Sequence, residues 1–280
     1  MMKRFLSRIA TALAVTMLGG GVAFAGPLMD RIEAGEPIRI GFANEVPWAY
    51  PGDSGEPLGF VNAHAIGVLN AMGYDNIEPV VTEWGGLIPG LNAGRFDIIT
   101  GGMYILKERC ENVAFSDPMA QVGDAFLVPE GNPNNISTWE DMVSNDLTLV
   151  TGAGYNTVKV AKQEGMDATK IMEVPGPTEI LAAVKAGRAD AGGMTAFTAV
   201  AMANAADGVE VTDPTALPEE YQNWVGIAFH KDDADFVEKF NAAQAEYLGS
   251  PAMLESVAEY GFDEKSLPGD TETAWVCENR

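Results

Sequence analysis

The chain has 280 residues, 40 of them acidic and 17 basic, for a formal net charge of −23. Such an excess of carboxylates excludes a nucleic-acid partner, because phosphate binding needs a basic face, and it reads as a solubility device. Apolar residues make up 47% of the chain, ample for a packed core in one or two domains.

Met1 to Ala25 has the three parts of a secretory signal peptide: a basic start at Lys3, Arg4 and Arg8, an apolar run from Ile9 to Leu18, and a small-x-small cleavage site at Ala23-Phe24-Ala25. The run is too short and glycine-broken to span a membrane, and no cysteine sits at the cleavage site to accept a lipid. A soluble periplasmic protein beginning near Gly26 is expected. In an oxidising compartment its two cysteines, Cys110 and Cys277, are expected to form one disulfide.

Alternating Ile38, Ile40 and Phe42 predict a first strand over Pro37 to Asn44, followed by a loop containing Glu45, Pro47 and Trp48. Gly59-Phe60 opens a helix from Val61 to Met72. Val80 to Thr82 is a second strand ending at Glu83-Trp84. Leu87, Ile88 and Leu91 mark one face of a helix over Gly85 to Ala93, which Gly94 ends. The apolar run Phe96 to Thr100 has the character of a strand inside a covered parallel sheet. Gly101, Gly102, Tyr104 and Arg109 come after it, at the carboxyl ends of strands, where open α/β sheets bind ligands.

Pro118 stiffens, and Gly123 frees, a crossing at Met119 to Gly123. Beyond it, Asp124 to Pro129 begins a second unit, Thr138 to Asp141 caps a short helix, and Leu147 to Val150 is a buried strand. The glycine-rich turn Thr151 to Thr157 then leads into another helix, whose free N–H groups at Asn156 and Thr157 suit a carboxylate. With neither Gly-Lys-Ser/Thr nor GxGxxG present, this turn fits no phosphate-loop or dinucleotide fingerprint. Glu179 to Ala191 repeats the logic of Leu87 to Ile98, each helix closing on Ala-Gly-Arg before a strand, which implies two similar α/β domains facing a cleft. Gly192 to Thr195 again ends at the ligand edge. Helices Asp235 to Leu248 and Pro251 to Tyr260 and a polar tail are expected to end the chain. His64 and His230 are expected on the surface or on a helix face. No histidine, cysteine and carboxylate cluster has metal spacing, so neither metal nor cofactor is expected.

The stretch Gly101 to Pro118, GGMYILKERCENVAFSDP, resembles the polar amino-acid family of solute-binding proteins that serve ABC importers, and other marks extend the resemblance over nearly the whole mature chain. It implies a type II periplasmic-binding-protein-like α/β fold with two hinge crossings, the return one around Tyr221 to Val225 just before Gly226 to Phe229, which resembles the family's return strand: domain 1 from residues 26–120 plus 225–280, and domain 2 from 121–224. It also implies no enzymatic role, a membrane permease as partner, and a monomer. The family's ligand positions fall here on Glu45, Trp48, Trp84, Gly102, Tyr104, Arg109, Asn156, Thr157 and Thr195.

In amino-acid-binding members an Arg at the position of Arg109 pairs with the ligand carboxylate, while a small hydroxyl and an Asp hold its ammonium. Here Tyr104 and Thr195 stand at those two places, so a standard α-amino acid is disfavoured: its buried ammonium would lack a counter-charge. Three aromatics, Trp48, Trp84 and Tyr104, instead suit a diffuse cation, and Glu45 suits one that carries N–H groups. The expected ligand is a zwitterionic compatible solute, ectoine or 5-hydroxyectoine, with a polar amino acid or a betaine as the alternative. Periplasmic dehydratases share this fold, but Glu45 has no second acid, His or Lys beside it in these motifs, as a general acid–base pair would need.

Overall fold

The computed structural model describes residues 27–280; the expected signal peptide lies outside them. Two sheets form the body of the chain. The first runs in spatial order Ile77–Val81, Ile38–Phe42, Ile98–Tyr104, Asn223–Phe229, Ala114–Phe115, with Ala120–Val122 also pairing with Asn223–Phe229. Its first three strands are parallel and Asn223–Phe229 is antiparallel to its neighbours. The second sheet runs Ile171–Val174, Leu149–Gly152, Ala191–Thr195, Asp124–Pro129, Val209–Val211, parallel through the first three and antiparallel thereafter.

Helices cover both faces of each sheet, which is why the strands are apolar on both sides rather than alternating. In the second sheet Phe126 and Val128 point into a core with Trp139 and Val160, whereas Ala125 and Leu127 point into another with Ile180 and Ala199. In the first, Ile98 joins Phe60, Leu69 and Phe240 on one face, and Ile99 joins Leu87, Leu91 and Phe96 on the other. The helix Trp139–Ser144 starts with the expected reciprocal cap between Thr138 and Asp141.

The chain passes between the sheets at Gly123, where Ala120–Val122 ends and Asp124–Pro129 begins. It returns along Asn223–Phe229, whose Asn223 pairs with Val122. The two crossings therefore lie side by side.

Several expectations are corrected. The strand expected to stop at Thr100 continues through Gly101 and Gly102 to Tyr104, because the antiparallel Asn223–Phe229 extends the ladder, with Met103 opposite Gly226 and Tyr104 opposite Val225. Gly102 has φ of 79°, and a Cβ there would collide with the Trp48 indole, so only glycine fits. The second strand starts at Ile77, ahead of Val80; it is an edge strand and so tolerates Pro79. His64 is fully buried rather than on the surface: its Nε2 lies 3.0 Å from Gln244 Oε1 of the packed helix Ala234–Tyr247, and burial pulls its pKa down to about 4. The expected polar tail is the helix Thr273–Asn279, with Val276 buried. Cys277 on this helix is disulfide-bonded to Cys110, across 167 positions of sequence.

Candidate functional site

The side chains between the two sheets come from strand ends and the loops after them. Glu45 and Trp48 lie in the loop after Ile38–Phe42, Trp84 in the single turn Trp84–Gly86, Tyr104 at the end of its strand and Arg109 in the short helix Lys107–Cys110. Opposite them stand Asn156 and Thr157, opening the helix Asn156–Gln163, and Thr195, capping Ala196–Ala205. Together with Gly102, these nine residues line one cavity. Asp124, Tyr155 and Thr198 line it as well.

Arg109 is 8% exposed. Its Nη1 donates to the Tyr104 carbonyl at 3.0 Å and its Nη2 to the Gly154 carbonyl at 3.1 Å. The guanidinium carbon lies 5.7 Å from the centre of the Trp84 ring. Among the described residues no carboxylate forms an ion pair with it, and burial lowers its pKa to about 10. The guanidinium is held in place by carbonyls and aromatic surface, and its charge is met only by the fields of Glu108, Asp124 and Glu45 rather than by a direct ion pair.

Two buried carboxyls share the cavity. Glu45 accepts from the Tyr155 hydroxyl at 2.6 Å, and Asp124 Oδ1 accepts from the Tyr104 hydroxyl at 2.9 Å. Burial raises each to about 7, only partly offset by the tyrosine bond and the field of Arg109. A second acid is thus present where the sequence motifs offered Glu45 alone. Asp124 is the register partner of Thr195 across the antiparallel pair, so the carboxylate absent from position 195 stands on the neighbouring strand. Its signal in the sequence was an acid heading an otherwise apolar run immediately after the pivot glycine. Tyr155, inside the glycine-rich turn, had no signal beyond its position.

The aromatic residues have more than one task. Trp48 is 2% exposed; it packs on Phe60 at 4.6 Å, and its Nε1 donates to Thr195 Oγ1 and Thr198 Oγ1 at 2.9 and 3.0 Å. Trp84 donates to the Gly154 carbonyl at 3.2 Å and meets Tyr155 edge-on. The Thr157 hydroxyl is already engaged with Thr151 and the Gly193 carbonyl, leaving the helix-opening N–H groups as its side's anion donors. With the Lys159 to Glu108 ion pair outside, these bonds join the two halves across the cleft, and the cleft is closed.

Residues 38–262 match the model of the bacterial extracellular solute-binding proteins, family 3. The chain belongs to this family. Over 99% of its length it is 33% identical to a probable amino-acid ABC transporter periplasmic-binding protein of Sinorhizobium fredii, covering 95% of that protein. It is 25% identical to the L-cystine-binding protein of Escherichia coli, over 91% of this chain and 92% of that one. Among solved structures, EhuB in complex with hydroxyectoine superposes with a TM-score of 0.79 at 28% identity, covering 90% of this chain and 97% of that one. An ancestral amino acid-binding protein, a precursor of cyclohexadienyl dehydratase, superposes with a TM-score of 0.73 at 26% identity, covering 84% and 99%. This family 3 member has the type II periplasmic-binding-protein fold and is a solute-binding protein of an ABC importer for amino-acid-like ligands, with a membrane permease as the partner its family implies.

Proposed function

We propose that this protein captures a zwitterion whose positive charge is delocalised and bears N–H groups, ectoine or 5-hydroxyectoine, in the periplasm, and delivers it to its permease. The observation that carries the reading is Arg109: a buried guanidinium bonded only to carbonyls, facing Glu45 across an aromatic-walled space. A ligand carboxylate on Arg109 gains two parallel charge-assisted bonds. The rings of Trp84, Trp48 and Tyr104 favour a diffuse cation, and Glu45 accepts its N–H groups. The likeness to EhuB with hydroxyectoine supports the same ligand class.

The halves 26–120 with 225–280 and 121–224 act as a clamp pivoting about the paired crossings at Gly123 and Asn223, and the ligand shifts the population towards the closed form. Asn156, Thr157 and Thr195 belong to the half that closes.

One observation favours a second reading. Asp124 supplies a carboxylate that a primary ammonium can pair with, so the objection to an α-amino acid drawn from Thr195 no longer holds. The two readings separate by calorimetric titration of the unliganded mature protein with ectoine, 5-hydroxyectoine, glycine betaine, L-proline and L-glutamine. Tight binding of an ectoine with little response to glutamine supports the first; binding of glutamine or proline alone refutes it in favour of the second. Absence of turnover of prephenate-like acids is expected, because the relatives are named as binding proteins; turnover would instead assign Glu45 and Asp124, both raised to about 7, an acid–base role.

A further inference from the structure

Asp124 is 4% exposed, at the head of a strand whose next four residues, Ala125 to Val128, are buried and apolar. An uncharged residue would be buried there freely, whereas a carboxylate is desolvated on folding. Its one hydrogen bond among the described residues is to the Tyr104 hydroxyl through Oδ1, and no hydrogen bond to Oδ2 occurs among them. No cation among them pairs with it. It lines the same cavity as Arg109 and Glu45. Burial outweighs the Tyr104 bond and the field of Arg109 and leaves its carboxyl well above the usual range.

Position reinforces chemistry. Asp124 follows Gly123 directly, belongs to the second sheet, and is tied to Tyr104 of the first, so this bond spans the crossing. Glu45 is tied the opposite way, its loop in the first half and Tyr155 in the second. The cavity therefore has two acidic positions, each carried by a different half and each capped by a tyrosine from the other, with a single guanidinium between them to receive an anion.

We propose that Asp124 is a second acidic subsite of the cleft, beyond Glu45, which accepts an N–H of the ligand's cationic group on the hinge side and so excludes quaternary ammonium ligands. The inference deepens the reading of the site as a zwitterion trap and rests on it. A fully methylated nitrogen has no hydrogen to give and would leave Oδ2 desolvated and unpaired, whereas an amidinium or a primary or secondary ammonium satisfies it. Glu45 then takes a second N–H from the other side of the ring or head group.

The test is calorimetry on the mature protein and its Asp124→Asn variant with ectoine, L-glutamine and glycine betaine. Asn keeps an oxygen to accept from Tyr104, so the fold is retained, and a thermal melt checks this. The parent is expected to bind ectoine or glutamine and not betaine, and Asp124→Asn to weaken the bound probe at least 30-fold without weakening betaine. On the unmodified protein, the form of the bound probe whose cationic nitrogens are fully methylated, with no N–H left, is expected to lose a similar factor, which reads the N–H requirement even if the variant fails to fold. A parent that prefers betaine, a variant that binds within threefold of the parent, or a methylated probe that binds undiminished overturns the proposal. A parent that binds none of the three probes overturns the zwitterion reading, and this one with it.

Discussion

Replacing Arg109 by Gln separates a ligand-holding charge from a structural one. The native guanidinium is buried, bonded to two carbonyls at 3.0 and 3.1 Å, and has its pKa lowered from 12.5 to about 10 by desolvation. A drop of that size corresponds to roughly 3 kcal/mol against the charged form in the closed, empty cleft. A ligand carboxylate removes that penalty and adds two charge-assisted hydrogen bonds of about 1.5–3 kcal/mol each. From the loss of those two bonds alone, Arg109→Gln is expected to weaken binding by about 3–6 kcal/mol, roughly 10²–10⁴-fold. The empty protein should meanwhile melt at the same or a higher temperature, because a buried charge without a direct ion pair has been removed while the amide still offers a donor to Gly154 or Tyr104. Titration calorimetry gives the affinity and a thermal melt the stability. Binding within threefold of the parent would show that the carboxylate is held elsewhere. A fall in Tm of more than about 5 °C, on the order of 1–2 kcal/mol for a chain of this size, would show that Arg109 is chiefly a structural tie.

Three further outcomes are expected. Trp84→Ala removes the ring beside Arg109 and should weaken ligand binding about tenfold, or 1.4 kcal/mol, with calorimetry as the readout and unchanged affinity as the contrary result. Closing the empty cleft raises Glu45 from 4.5 and Asp124 from 3.8 to about 7, so the closed form takes up protons that the open form, with solvated carboxyls, does not. Empty closure is then favoured at pH 5 and lost as pH rises through about 7; X-ray scattering should give a smaller radius of gyration for the ligand-free protein at pH 5 than at pH 8, and no difference would count against burial of these acids. The paired substitution Cys110→Ser with Cys277→Ser opens a loop spanning 167 positions and should lower stability by about 2–5 kcal/mol with ligand affinity retained, since neither cysteine lines the cavity; a denaturant titration measures the loss.

Much of the candidate site was legible because local pattern and the family resemblance point to the same strand ends. Tyr104 and Arg109 follow a strand signal at the carboxyl edge of a sheet and Asn156 and Thr157 open a helix after a glycine-rich turn, while Glu45, Trp48, Trp84 and Thr195 were marked as ligand positions by the family resemblance. Their gathering in one cavity follows from the topology that those signals imply. Asp124 was not legible in the same way: an acid at the start of a strand is ordinarily a solvated end, and its burial depends on Tyr104 arriving from the other sheet. The partners of Glu45 and Trp48 were hidden for the same reason, since Tyr155 is separated from Glu45 by 110 positions and Thr195 from Trp48 by 147. His64 was expected on the surface or on a helix face; it lies on the face of the helix Phe60–Ala71 that the helix carrying Gln244 encloses, a burial the local pattern did not reveal.

The sequence by itself determined the alternation of strands and helices, the first crossing, and the inventory of charged and aromatic side chains, because apolar periodicity and glycine placement act over a few residues. Only the tertiary structure decided which of those side chains lose water, and therefore which charges are left needing a partner. Desolvation depends on what closes over a group from distant parts of the chain: it makes Arg109 a buried cation without a direct ion pair and Glu45 and Asp124 a matched pair of acids, each bonded to a tyrosine from the opposite half.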